Sequence, residues 1–321
     1  MAIKYYKSIK KLKKIWNELY DEKSSSPTLD YDFVTHWNST LKQKKNNFVK
    51  GKLRYLVFIK DENIYAILPV LKKKKFCCSV YLLDYFDLLY SNKMNKSKIV
   101  KYIINDLNNN HISLHLSGVN ENSNLYKLMK DKIVIKGETT CSAIKLESNN
   151  TFDLFFKNLS KSVRQNIRTA YNRLQTDNKS IEYRDENKRA VKKTIRRYNK
   201  LYVARRLKRY KNISILKSIC YYFNEPILSS ILKSNHFKLV SIIIDGQIAG
   251  YMAGLLQNKI FYVPRLVIND KFARYSAGML LICEFIKHAK GVDYLDLSSG
   301  SESYKKMLQA IEHKNYDITI E

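Results

Sequence analysis

The chain has 321 residues, 45% hydrophobic and 27% charged, with 58 Lys or Arg against 29 Asp or Glu and a formal net charge of +29. That is enough apolar material for a sizeable core in one large or two ordinary domains, and the charged fraction is too ordinary for wholesale disorder. No apolar run approaches the roughly 20 residues of a membrane-spanning helix, and the basic N-terminus lacks the apolar core and cleavage site of a signal segment.

The five cysteines (Cys77, Cys78, Cys141, Cys220, Cys283) are odd in number, and two are adjacent. They fit neither a disulfide framework nor a zinc site, and the six histidines form no HxH or HExxH arrangement. A reducing cytoplasm and no bound metal are expected. The charge excess points to an anionic partner: nucleic acid, a phosphate-rich cofactor, a membrane surface or an acidic carrier protein. A lysine-rich composition would produce the same excess with no partner at all.

The opening "MAIKYYKSIKKLKKIW" reads as a first helix, with Leu12, Ile15, Trp16 and Leu19 on one face. Residues 53–59 and 64–71 are strands around the turn Asp61-Glu62-Asn63, and Pro69 is awkward for a central strand position. "CCSVYLLDYFDLLY" adds strand-like density. "NKSKIVKYIINDL" is a helix with Ile99, Ile103 and Leu107 four apart, and "HISLHLSGV" alternates as a strand. The first half, 1–148, is therefore one mixed α/β domain.

The second domain, 149–321, opens on "TFDLFFKNLSKSVRQNIRTAYNRLQ". Ser162 and Gln165 can form a capping box, and Val163, Ile167, Tyr171 and Leu174 give the buried stripe. Arg164 and Arg168, four apart, can point the same way and hold a carboxylate or phosphate. A helix follows over 189–208 with Val191, Ile195, Tyr198 and Tyr202 on its face. Another lies in "NEPILSSILKSN", with Pro226 near its first turn. Between Lys157 and Lys211 there are nineteen Lys or Arg against four Asp or Glu. This is a docking face for an anion, or a solvated helix pair.

"KLVSIIIDGQIAGYMAGLLQNKIFYVPRLVI" reads as three antiparallel strands. Asp245-Gly246 and Asn258-Lys259 make the turns, and Pro264 marks a bulge or splay. "YSAGMLLICEFIKHAKG" is a helix ending at Gly291, and "VDYLDL" is the last strand before the small-residue turn "SSGSE". At that helix start the small residues Ser276, Ala277 and Gly278 leave its unpaired N–H groups open to a pyrophosphate, with Arg274 just before them. The segment is neither a Walker loop nor a GxGxxG fingerprint. Six of the nine glycines lie between 246 and 300.

Four segments carry a family likeness: "LSKSVRQNIRTAYNRL" at 159–174, "DGQIAGYMAGLLQNKIFYV" at 245–263, "YSAGMLLICEFIKHAKG" at 275–291 and "DLSSGSESYKKML" at 296–308. Together they resemble the GNAT acyltransferase superfamily. The nearer likeness is to the branch holding cellulose-biosynthesis-type acetyltransferases and Fem-type peptidyltransferases. The pattern falls on Arg164, Arg168, Gly278, Asp296, Gly300, Glu302, Tyr304 and Lys305. The first half is similar more loosely, through Trp16, Trp37, "AILPV" and "DYFDLL". Ala277 stands where a proline is common, and Ser299 and Ser301 replace polar or charged neighbours of the turn glycine. No extended heptad run marks the arm of the peptidyltransferases, which favours the acetyltransferase-like subgroup.

The resemblance implies an α/β (α+β) fold of tandem GNAT-like domains with a cleft between them. The first domain would be a degenerate copy. It further implies N-acyl transfer from acetyl-CoA or another acyl-CoA to an amine of a small or cell-envelope-related substrate. Arg274, Ser276, Ala277 and Gly278 would hold the coenzyme. Asp296 would orient or deprotonate the amine, and Tyr304 would protonate the thiolate or hold the carbonyl. Lys305, Arg265, Arg164, Arg168 and Glu302 would serve the substrate. Each has a plainer reading: Asp296 as a turn cap, Tyr304 as a core ring, Lys305 as a surface lysine, Arg265 as a cross-sheet pair. An aminoacyl-tRNA or an acidic acyl carrier protein as donor, a peripheral contact with an anionic membrane, and a non-enzymatic binding module remain open.

Overall fold

In a computed structural model, residues 2–21, 25–43, 51–74, 76–79, 84–146, 152–186, 191–209 and 226–321 are described. The chain divides into two compact units, Met1–Cys141 with His313–Glu321, and Ser142–Glu312. The sequence places a single division at 148/149. The structure differs by returning the last nine residues to the first unit.

The first unit begins with β1 (Ala2–Tyr6), then α1 (Lys13–Leu19) and α2 (Tyr31–Gln43). The expected first helix is thus only its second half. Ala2–Tyr6 is claimed by β2 (Lys52–Lys60), with Tyr6 opposite Tyr55, so tertiary pairing overrides local pattern. Leu12, Trp16 and Leu19 are buried as the helical spacing requires. The Trp16 indole donates to the Leu29 carbonyl at 2.9 Å. β2 turns through Asp61 and Glu62, both at positive φ, into β3 (Asn63–Lys72). Pro69 faces Tyr55 of β2. On its other side β3 pairs, among the described residues, with β4 (Phe76–Ser79) at 70–72 and β5 (Leu89–Tyr90) at 66–67. The helix α3 (Lys96–Asn109) buries Ile99, Ile103 and Leu107 and leads into β6 (Ser113–Asn120), parallel to β4 over three residues. The Asp87 carboxylate of the "DYFDLL" segment accepts from the Leu125 and Asn124 amides and so starts α4 (Asn124–Met129). β7 (Val134–Lys145) follows.

In the second unit, α5 (Phe152–Asn158) precedes α6 (Lys161–Thr176). The cap of α6 is Ser160, whose Oγ accepts from Val163 N, and not the expected Ser162/Gln165 box. The buried stripe is Val163, Ile167, Ala170 and Leu174, and Tyr171 is only partly covered. After β8 (Ile181–Glu186) come α7 (Val191–Arg209) and α8 (Pro226–Ile231). The side chains of Val191 and Ile195, the N-terminal edges of both predicted helices and Cys220 lie outside the described residues.

The sheet runs β8-β9-β10-β11-β12, with β9 (Phe237–Ile244), β10 (Gln247–Gln257) and β11 (Ile260–Ile268) antiparallel. Asp245-Gly246 and Asn258-Lys259 turn with positive φ at both positions, as the right-handed strand twist favours. α9 (Ala277–His288) then crosses to β12 (Tyr294–Ser299), parallel to β11 over Ile260–Tyr262 and Tyr294–Asp296 alone. The helix stops at His288, three residues short of Gly291, whose φ of 67° serves the turn into β12. α10 (Ser303–Met307) and β13 (Ile311–Ile320) close the chain, β13 pairing antiparallel with β6.

Each unit thus repeats one plan: antiparallel strands, a helix, then a strand parallel for three residues. Mixed, mostly antiparallel sheets flanked by helices are the fold class expected of tandem GNAT-like domains. In the second unit, α6 and α9 cover one face through Ile167, Leu174, Val240, Ile242, Leu281 and Phe285, all buried. Each such side chain contributes roughly 1.5–3 kcal/mol.

At Gly254 the β10–β11 register slips, as Pro264 foretells. A Cβ there would stand 1.7 Å from the Tyr262 carbonyl oxygen. Gly254→Ala is therefore expected to destabilise the protein by roughly 3 kcal/mol or more, measured as the shift in urea midpoint.

Candidate functional site

The two parallel strands part after Tyr262 and Asp296, the last paired residues. Beyond that point β11 carries Val263 to Ile268 and β12 carries Leu297 to Ser299, with no register between them. Parting strands open a slot in a sheet without breaking its core, and the bulge at Gly254 bends β11 away at the same level.

Asp296 is buried at this fork, and its Oδ1 accepts from the Ser298 amide at 2.8 Å. Ser298 is left-handed, with φ 56°. Its Oγ is buried and has no hydrogen-bond partner among the described residues. Lys305 closes the turn from below. It is 2% exposed, and its ammonium donates to the carbonyls of Ser298, Ser299 and Gly300 at 3.0, 3.1 and 3.1 Å, with Glu302 Oε2 at 3.2 Å. Those carbonyls account for all three of its protons. Lys305 is thus neither a surface lysine nor a cation left open to a substrate. Gly300 is required by its φ of 123°, a backbone conformation other residues adopt only with strain.

Tyr304, on α10, packs its ring partly against the core, and no hydrogen bond among the described residues takes its hydroxyl. Burial first, then the Glu302 carboxylate, push its phenol up to about 12, against a smaller opposing pull from Arg205. It stays protonated through the neutral range.

The α9 start leaves two amides unpaired within the helix. Ser276 is left-handed, with φ 51°, and its side chain caps nothing. Its carbonyl accepts from Met279 and Leu280, so the Ala277 and Gly278 amides have no partner within the helix. A Cβ at Gly278 would meet Ile268 at an ordinary 3.4 Å, so packing does not demand glycine there.

The arginines are placed otherwise than the sequence implies. Arg274 is exposed and pairs with Asp177 at 3.2 Å, where the Tyr275 hydroxyl also donates at 2.6 Å. It is held toward the end of α6. Arg164 donates to the Lys157 and Leu159 carbonyls at 2.8 and 2.6 Å, capping α5, and Arg168 lies over the Phe156 ring at 5.2 Å. They share a face, but that face serves α5 and forms no joint anion clamp. Arg265 lies over the Tyr202 ring at 4.5 Å.

Sequence reasoning missed Ser298 and also Arg205, whose charge bears on both Tyr304 and Asp270. A left-handed serine has no signature in sequence, and Arg205 is one cation in a helix crowded with them.

Comparison with known proteins bears on the fold. Residues 161–306 match the family model of an acetyltransferase (GNAT) domain. No curated protein matches the chain. Among solved structures, a conserved protein of unknown function from Bacteroides thetaiotaomicron VPI-5482 is similar with TM-score 0.62 and 10% identity, over 99% of this chain and 100% of that one. The C-terminal domain of a lysylphosphatidylglycerol synthetase from Agrobacterium fabrum, itself so assigned only provisionally, gives 0.59 and 10% over 98% and 92%. FemX gives 0.54 and 11% over 88% and 90%. At such identities the likeness speaks for the fold alone: the chain is similar in fold to FemX and to that synthetase domain, and its residues 161–306 match the acetyltransferase (GNAT) domain model.

Proposed function

We propose that the second unit transfers an acyl group from an acyl-CoA to an amine, with the acetyl group as the first donor to try. The observation that carries this is the fork between β11 and β12, with buried Asp296 at its apex and a protonated Tyr304 on the element that follows. The GNAT domain match over 161–306 spans every element of it.

The open amides of Ala277 and Gly278 are the seat for the coenzyme's pyrophosphate, since two N–H groups and the helix dipole favour an anion. The reaction forms a C–N bond and breaks a C–S bond. The amine nitrogen attacks the thioester carbon, Asp296 takes the nitrogen's proton, and the Tyr304 phenol protonates the departing thiolate. The proton on Asp296 then restores the phenol through solvent. Lys305 and Gly300 hold the turn that carries these groups, which keeps the orientation contribution to rate.

The test is native mass spectrometry of the protein with a panel of short acyl-CoAs at low and moderate salt. A saturable one-to-one complex that survives moderate salt is expected. No complex with any acyl-CoA overturns the reading and turns attention to aminoacyl-tRNA and acyl carrier protein.

A further inference from the structure

A cavity of about 350 Å³ lies between α7 (Leu201, Ala204, Arg205, Lys208) and the end of β11 with the loop after it (Ile268 to Lys271). Among the described residues, its wall carries three cations, Arg205, Lys208 and Lys271, against one acid, Asp270. Lys208 pairs with that acid at 2.9 Å and Arg205 also feels its charge, so the one carboxylate is shared and the wall keeps a positive excess. Arg205 is partly buried, and among the described residues no hydrogen bond or ion pair occupies its guanidinium. A partly desolvated arginine without a partner is unfavourable, and an anion entering the cavity offsets that cost. Four other cations of the basic segment are spent internally: Arg164 on carbonyls, Lys179 on Asp245, Arg184 on Glu182 and Arg197 on Glu186.

The cavity also adjoins the proposed chemistry. Ile268 is its floor and the contact of Gly278 at the α9 start, and the charge of Arg205 reaches Tyr304. We propose that this cavity recognises a carboxylate or phosphate on the amine acceptor, with Arg205 as the residue that sets that preference. The acceptor class is then an amine bearing an anionic group, gripped by the guanidinium fork while its nitrogen reaches the β11–β12 fork. This inference rests on the acyl-transfer reading of the same site.

The test compares wild type with Arg205→Gln, using phosphoethanolamine against ethanolamine and β-alanine against its amide as acceptors, with acetyl-CoA affinity measured separately by calorimetry. A charge-assisted bond predicts that wild type favours the anionic member of each pair by roughly ten- to a hundredfold in kcat/KM. Arg205→Gln should lose that preference through KM while keeping its acetyl-CoA Kd. If wild type acetylates both members equally, the acceptor proposal falls and the transferase reading stands. If Arg205→Gln instead loses acetyl-CoA affinity, the cavity serves the donor's phosphates and the acceptor proposal falls. A third arm is independent of turnover: thermal stabilisation by inorganic phosphate at constant ionic strength. Stabilisation of wild type but not of the variant supports an anion seat at Arg205 whether or not acetyl-CoA is the donor. Equal stabilisation, or none, overturns it.

Discussion

Tyr304→Phe is expected to lower kcat for acyl transfer by roughly a hundredfold or more, the usual worth of a positioned proton donor, with the acyl-CoA Kd unchanged. Its hydroxyl makes no hydrogen bond among the described residues, so the change removes a proton and no structural bond. The denaturation midpoint should stay within roughly 0.5 kcal/mol of wild type, as for substitutions that touch no packing. Loss of rate without loss of stability separates a proton donor from a core ring. The pH profile is a further check. A phenol pushed up to about 12 is protonated below that value, and its donating form is lost only as pH rises through about 12. The kcat profile should therefore show no falling limb from this group below pH 10, and such a limb would assign the donor elsewhere.

Lys305→Met carries the opposite signature. Methionine fills similar volume but leaves the Ser298, Ser299 and Gly300 carbonyls without their donor and Glu302 without its counter-ion. Losing charge-assisted bonds to partly buried acceptors should cost roughly 3–5 kcal/mol. Activity should fall with it, because Asp296, Ser298 and Tyr304 are spaced by that turn. Urea denaturation and steady-state kinetics on the same preparation decide the matter. A large KM effect with unchanged stability would return Lys305 to the role of a substrate cation. Lys305→Arg should not rescue, since a planar fork cannot converge on three carbonyls as an ammonium does.

The hairpins and the long helices were legible because their determinants are local. Asp245-Gly246 and Asn258-Lys259 specify turns by backbone preference, and Ile99, Ile103 and Leu107 specify a helix by spacing. The family pattern likewise marked Asp296, Gly300, Tyr304 and Lys305 as one constellation. Their division of labour was not legible. A lysine among 58 Lys and Arg reads as surface until the turn folds over it and three carbonyls converge on its ammonium. Arg164 and Arg168 share a helical face as their spacing requires, yet what that face meets is α5.

By itself, then, the sequence determined the mixed α/β fold class and the β10–β11 irregularity at Pro264, which follow from backbone preferences and apolar periodicity within a short window. The segments 159–174, 245–263, 275–291 and 296–308 stood out through a family resemblance instead. Only the tertiary structure decided that Ala2–Tyr6 is a strand and that His313–Glu321 belongs with the first unit. It alone decided that three carbonyls hold the Lys305 ammonium while Arg205 lines a cavity. Those outcomes depend on partners tens to hundreds of residues away. A charge's role is set by what the fold brings within hydrogen-bond reach, and no local pattern encodes that distance.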